Sequence, residues 1–193
     1  MASFSSRVCV SALVLVSVVV VSSEASAQLH SDASLSAGLE KRFLSSRGAG
    51  VPDAGPGPRL DLRGHVALFP FVRVGAYGAY AFAPQAGEGR HTGSLGAHFR
   101  LVSPVPRTEV FSLWLGVGVG YARTWISGPG ALSGGFVEVP LGVGAGYRFR
   151  KPFSLFGEVQ SVFGVGHHGS AYSGAGGADG VGLSLAVGLL ADW

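Results

Sequence analysis

Two adjacent histidines, His167 and His168, stand inside the stretch Gly164-Val165-Gly166-His167-His168-Gly169, the first place in this chain to look for chemistry. Neighbouring imidazoles could share a metal ion, but spacing supplies no third ligand, and the nearest carboxylate is Asp179. The same six residues match G-x-G-x-x-G. A dinucleotide site needs a helix to open at that turn, with its N-terminus toward the pyrophosphate. The next residues are Ser170-Ala171-Tyr172-Ser173-Gly174, which make no helix, so the stretch reads as a loop. The lone cysteine, Cys9, falls in a leader-like segment, which removes disulfide, thiolate-metal and thiol chemistry. No catalytic, cofactor-binding or metal residue is assigned, and the chain is expected not to be an enzyme.

The charged residues are more informative. Glu40, Arg42, Asp61, Arg63, Arg73, Arg100, Glu138, Arg148 and Glu158, with His98, all fall on one face of segments that alternate with a period of two. Such alternation is the mark of extended strands with unlike faces. The run 181–193 is the clearest case. Val181, Leu183, Leu185, Val187, Leu189, Ala191 and Trp193 form one face; Gly182, Ser184, Ala186, Gly188, Leu190 and Asp192 form the other.

Seven further segments obey the same rule: about 35–43, 59–69, 72–82, 91–102, 110–122, 136–149 and 153–163. In the seventh, Glu158 and Gln160 set the register, which leaves Phe156 as an aromatic exception on the polar face. Lys41 is the cation that breaks the pattern, and it lies near a strand end where a long side chain can snorkel. A cation facing lipid at mid-depth would cost about 2–4 kcal/mol. The apolar face is therefore read as the lipid face and the charged face as the lumen. A soluble, lipocalin-like barrel would invert these faces.

Composition agrees. Charged residues make up 13% of the chain, glycine numbers 32, and mean hydropathy is +0.40. A soluble domain is nearer ~25% charged. Beyond the leader no stretch reaches the ~18 apolar residues of a spanning helix, and a membrane protein without such helices must close its sheet into a barrel. The net charge of +3 carries no basic stripe interleaved with aromatics, so nucleic acid is not an expected partner. At the start, Arg7, an apolar run to Val21 and the Ala25-Ser26-Ala27 site predict a signal peptide over 1–27. A short periplasmic segment, 28–34, and a barrel over 35–193 would come after it.

The predicted connections alternate in length. About 44–58, 83–90, 123–135 and 164–180 are long and rich in Gly, Ser and Pro; 70–71, 103–109 and 150–152 are short. Short periplasmic turns and longer outer loops give that alternation. Lipid-face aromatics gather toward the strand ends, as interfacial girdles do: Phe43, Tyr80, Phe82, Tyr121 and Phe163 at one side, Phe99, Phe111, Tyr147, Phe149, Phe153 and Trp193 at the other.

On these features the chain resembles the small eight-stranded outer-membrane barrels, the OmpA-transmembrane-domain, OmpX and OmpW-like group. Stretches such as Val137-Glu138-Val139-Pro140-Leu141-Gly142 and Leu155-Phe156-Gly157-Glu158-Val159 are similar to strands of that group. The resemblance implies an all-β, eight-stranded antiparallel transmembrane up-and-down β-barrel in the outer membrane. It implies a terminal assembly signal at Leu185, Val187, Leu189 and Trp193, read by a barrel-assembly machinery. It departs from full-length OmpA, which has a peptidoglycan-binding domain after its barrel. His168-Gly169-Ser170 is also similar to the His-x-Ser of outer-membrane lipid A deacylases, over three residues.

The expected function is structural or interactional, with four exposed loops that meet an extracellular ligand or surface. A narrow small-solute channel, OmpW-like, is the alternative; a lipid-modifying enzyme stands third. Eight strands leave a lumen just wide enough for side chains to fill. The inner charges are therefore expected to form an ion-pair network. Strands five and six should face strands one and two across it. Their Gly116, Gly118, Gly120, Gly142, Gly144 and Gly146 would make a wall for the charged side chains of Glu40, Arg42, Asp61, Arg63 and His65.

Overall fold

Among the described residues every strand hydrogen-bonds to two neighbours, and the sheet they form has no free edge. A computed structural model describes residues 30–44, 55–85, 88–103, 110–127, 132–172 and 180–193. The predicted signal peptide, 1–27, lies outside the described residues.

The strands are β1 (Ser31–Leu44), β2 (Gly57–Phe69), β3 (Val72–Gln85), β4 (Glu88–Ser103), β5 (Phe111–Ser127), β6 (Leu132–Arg150), β7 (Phe153–Gly169) and β8 (Gly180–Asp192). They close in sequence order into an antiparallel up-and-down barrel. At the seam, β1 pairs with β8 from Asp32↔Asp192 to Leu44↔Gly180, with Leu35 opposite Leu189. Ser31 and Trp193 exchange backbone hydrogen bonds of 2.8 and 3.0 Å there. Both ends of the described chain thus lie at one end of the barrel, here the terminal end; the opposite end is the far end.

Alternation of faces holds almost throughout. Leu185 is 63% exposed and Val187 68%, while Ser184 and Ala186 between them are buried. A belt of exposed Leu, Val and aromatic side chains on this scale needs lipid as its solvent, because monomeric soluble proteins rarely expose contiguous apolar patches beyond a few hundred Å². The charges lie inside, which excludes the lipocalin-like arrangement. Lys41 points outward near the far end, its Nζ 5.2 Å from the Phe43 ring centroid.

Two expectations are corrected. β1 starts at Ser31, so residues 31–34, expected ahead of the barrel, belong to it. Their alternation is small and polar, Ser and Ala with Asp32, and gives no apolar signal. The loop alternation also fails at the far end. β3 and β4 stay paired as far as Gln85↔Glu88, β5 and β6 as far as Ile126↔Leu132, and β6 and β7 as far as Gly134↔Gly169. Residues 86–87 connect β3 to β4, whereas 104–110, where a short turn was expected over about 103–109, is the longer connection. A ladder needs only backbone N–H and C=O groups, and Gly or Ser side chains do not interrupt it. Composition therefore marked as loop what pairs as strand.

Candidate functional site

The interior is built from the inward residue of each strand, and three layers of contact can be followed along it. At the terminal end Asp32 is the hub. It is fully buried and accepts from His65 Nδ1 at 2.8 Å, from Arg73, and from Arg100 Nη1 at 3.4 Å. With Nδ1 of His65 donating, its Nε2 accepts from His98 Nδ1, 2.8 Å away. Arg73 also reaches Asp192 on β8, at 3.4 Å, and Arg148 reaches Asp192 from β6, at 3.2 Å.

In the middle layer Arg63 Nη1 donates to Glu158 Oε2 across the lumen, at 2.7 Å. Trp114 Nε1 donates to the same oxygen at 3.2 Å. Arg63 is also 3.7 Å from Asp61. Arg59 grips Asp61 through Nε and Nη2, at 2.8–3.1 Å, and pairs with Glu40. These charges are buried, and buried charges persist only when paired and hydrogen-bonded.

Toward the far end Glu138, fully buried, accepts from Tyr77 Oη at 2.8 Å and from Arg42 Nη2 at 3.5 Å. Arg42 pairs with Glu40 and lies over the Phe136 ring, 4.9 Å from its centroid. Ala122, Ile126, Phe136, Ala171 and Tyr172 form a small apolar cap over one side. The 3-10 turn Ser170–Tyr172 supplies two of them. Tyr172 Oη donates to Thr124 at 2.9 Å, and Thr124 meets Thr92 at 3.0 Å. On the other side a cleft is lined by Glu40, Arg42, Ala81, Ala83, Arg90 and Thr92.

All ten residues expected in the interior polar network turn inward. Arg42 and Arg63 are both inside. The cross-lumen pairs with Glu138 and Glu158 are present. The glycine wall, however, receives mostly rings from its own side. Trp114 covers Gly144, His98 covers Gly116 and Gly118, and the Tyr77 hydroxyl sits against Gly120; Glu158 lies against Gly142. Missing Cβ atoms leave room for neighbouring rings before they leave room for arginines from across the barrel. Phe156 fits for the same reason. It pairs with Gly146 and Gly188 on the flanking strands, and its ring meets Trp114 at 5.5 Å.

The expected network omits Asp32, Arg59 and Arg90, and also Tyr77, Trp114 and Asp192, which the alternation already places on the inner face. Asp32, Arg59 and Arg90 are in phase with their inward neighbours, so extending each alternation past its last apolar residue would have found them.

The histidine pair lies on β7 and not in a loop. Gly166 and Gly169 take positive φ, 69° and 95°, and the intervening residues turn to opposite sides. His167 is buried, stacked on Phe136 with centroids 4.4 Å apart. His168 is exposed, with Nε2 3.2 Å from Tyr121 Oη and Nδ1 3.2 Å from the Gly166 carbonyl oxygen. The two rings cannot close on one ion. The Ser170 hydroxyl is bonded to the backbone N–H and C=O of Ser133, at 3.0 and 3.1 Å. Leu185, Val187, Leu189 and Trp193 all face outward on the strand that closes the seam.

A closed eight-stranded barrel with an apolar belt outside and paired charges inside is a transmembrane β-barrel of the small outer-membrane type. Solved structures share that fold. Neisserial surface protein A aligns with a TM-score of 0.64 at 12% identity, over 86% of this chain and 100% of that one. The N-terminal barrel domain of OprF from Pseudomonas aeruginosa gives 0.52 at 12% identity, over 84% and 97% of the two chains. A major outer membrane protein of Thermus thermophilus gives 0.51 at 16% identity, over 86% and 100%. No family model matches the sequence, and no curated protein matches it.

Proposed function

We propose that this chain is a non-catalytic outer-membrane protein. Its barrel is a filled structural support, and its role is carried by the outer surface and far end. The observation that supports this most is the Arg63–Glu158 pair at 2.7 Å, with Trp114 on the same carboxylate. It runs across the middle of the lumen where a solute path would have to pass. Asp32, His65, His98 and Arg100 occupy the layer on the terminal side, and all are buried. In this reading the far end faces the outside, and 1–27 is a cleaved signal peptide. Leu185, Val187, Leu189 and Trp193 form the signal read by an assembly machinery. The partners are outer-membrane lipid and an extracellular ligand or surface.

The channel alternative draws on one feature, the far-end cleft beside Arg42 and Arg90. That cleft runs onto Glu40, which is held by Arg42 and Arg59. Planar-bilayer recording of the refolded protein separates the readings. The filled-barrel reading expects no discrete conductance steps from the native chain. Stable steps that change size in Arg63→Ala would overturn it.

A further inference from the structure

Among the described side chains, outward-facing charge has one sign. Every carboxylate whose side chain is described lies in the interior: Asp32, Glu40, Asp61, Glu138, Glu158 and Asp192. Among the described residues, the cations that leave the lumen are Lys41 and Arg123 toward the far end, and Arg150 and Lys151 at the terminal end. Arg123 is the unusual one. It lies on the lipid-facing side of β5, in phase with Tyr121 and Trp125.

Arg123 pairs with Gly93 on β4 and with Gly135 on β6, so neither flanking strand places a side chain beside it. The aromatic neighbours use that space. The Trp125 ring lies over Gly93, with the position of a Cβ there 3.5 Å away, and the Tyr121 hydroxyl lies against Gly135. Trp125 is in turn stacked on His91, centroids 5.6 Å apart and planes within 6°. His91 Nδ1 meets Tyr80 Oη at 2.6 Å, and Tyr121 Oη meets His168 Nε2 at 3.2 Å. The rings are thus held by each other. Among the described residues Arg123 has no ion-pair or hydrogen-bond partner, and its side chain is exposed.

Resting on the reading above that the far end faces the outside, we propose that Arg123, walled by Tyr121 and Trp125, is a binding site for the phosphate of a phosphorylated glycolipid in the outer leaflet. The level suits it. Trp and Tyr collect where headgroups lie, with the ring in the apolar layer and the polar atom in the interface. A guanidinium at that depth presents a planar donor fork that matches a phosphate. No outward carboxylate among the described side chains competes for it or repels the anion. The glycines on both sides give the Trp125 ring and the Tyr121 hydroxyl the room to flank this position, and substitution at Gly135 would run into Tyr121.

The test is lipid retention by native mass spectrometry. The refolded barrel is released from phosphatidylcholine nanodiscs doped with lipid A, or with chemically dephosphorylated lipid A. The wild type should retain lipid A over phosphatidylcholine, and should not enrich the dephosphorylated form. Arg123→Gln should lower the enrichment about three- to fivefold, the scale of one exposed ion pair. Arg150→Gln, which removes an outward cation at the other end, should leave it unchanged. Heat-dependent gel mobility reports whether each variant is folded. Equal retention of the two lipid A forms by the wild type would overturn the site without recourse to any variant. So would undiminished retention in folded Arg123→Gln, or an equal loss in Arg150→Gln.

Discussion

Cutting the ion pair across the lumen should cost far more than removing it whole. Glu158 accepts from Arg63 at 2.7 Å and from the Trp114 indole at 3.2 Å, and both charged side chains are buried. Glu158→Ala leaves the indole N–H and one Arg63 bond unmade inside the barrel. Breaking one side of a buried pair costs about 3–5 kcal/mol. Arg63 keeps Asp61 at 3.7 Å, which places the loss at the lower end. About 3 kcal/mol is a change of over ~100-fold in the folding equilibrium. Glu158→Gln keeps an acceptor for both donors and should lose less. The double variant Arg63→Met, Glu158→Leu removes both charges and refills the volume; with the Trp114 indole N–H still unmade, it should lose about 1–2 kcal/mol, less than Glu158→Ala. Reversible urea unfolding in phospholipid vesicles, followed by tryptophan fluorescence, measures the three variants against the wild type. A Glu158→Ala barrel within ~1 kcal/mol of the wild type would refute the reasoning, because the lumen would then be supplying water to the orphaned charge.

Three other outcomes test separate parts of the structure. Gly144→Val sets a branched side chain against the Trp114 ring and should destabilise by about 1–3 kcal/mol; Gly157→Ala, which meets nothing within 4 Å, should be near neutral in the same unfolding assay. Leu185→Arg, at mid-strand on the lipid face, should lose about 2–4 kcal/mol, whereas Lys41→Leu near the far end should change little. Trp193→Ala should lower the yield of assembled barrel in the membrane and leave the unfolding midpoint of the purified protein in place; normal yield would reduce Trp193 to a girdle residue.

Strand faces were legible because the membrane imposes them. Each outward position between the two interfaces must be apolar, so a period of two could be traced from Leu35 to Phe43 and again in every later strand. Where that demand stops, the reading stopped with it. Asp32 lies past the last apolar residue of β1, Arg90 lies in an arm where glycine, serine and threonine serve both faces, and Arg123 lies in an arm with large residues on both faces, Tyr121 and Trp125 outward and Ile126 inward. The partners inside were less legible than the orientation. Periodicity says that Arg59 and Arg63 point inward, but which carboxylate each finds depends on barrel tilt and on the space that glycines release. Phe156 makes the same point: an exception in the pattern is explained only by Gly146 and Gly188 on strands that neighbour it in space.

The terminal-end charges also bear on how the sheet closes. Asp32 and Asp192 stand on the first and last strands, and the bases that hold them, Arg73, Arg100 and Arg148, come from β3, β4 and β6. Before the seam forms, the two acids would sit on the free edges of a curling sheet and the bases toward its centre. Arg73 bridges both acids at once, so it can satisfy them only when the edges have met. Neutralising the lumen and zipping the seam become one cooperative step, with the outermost strands drawn inward by the charge of the middle ones.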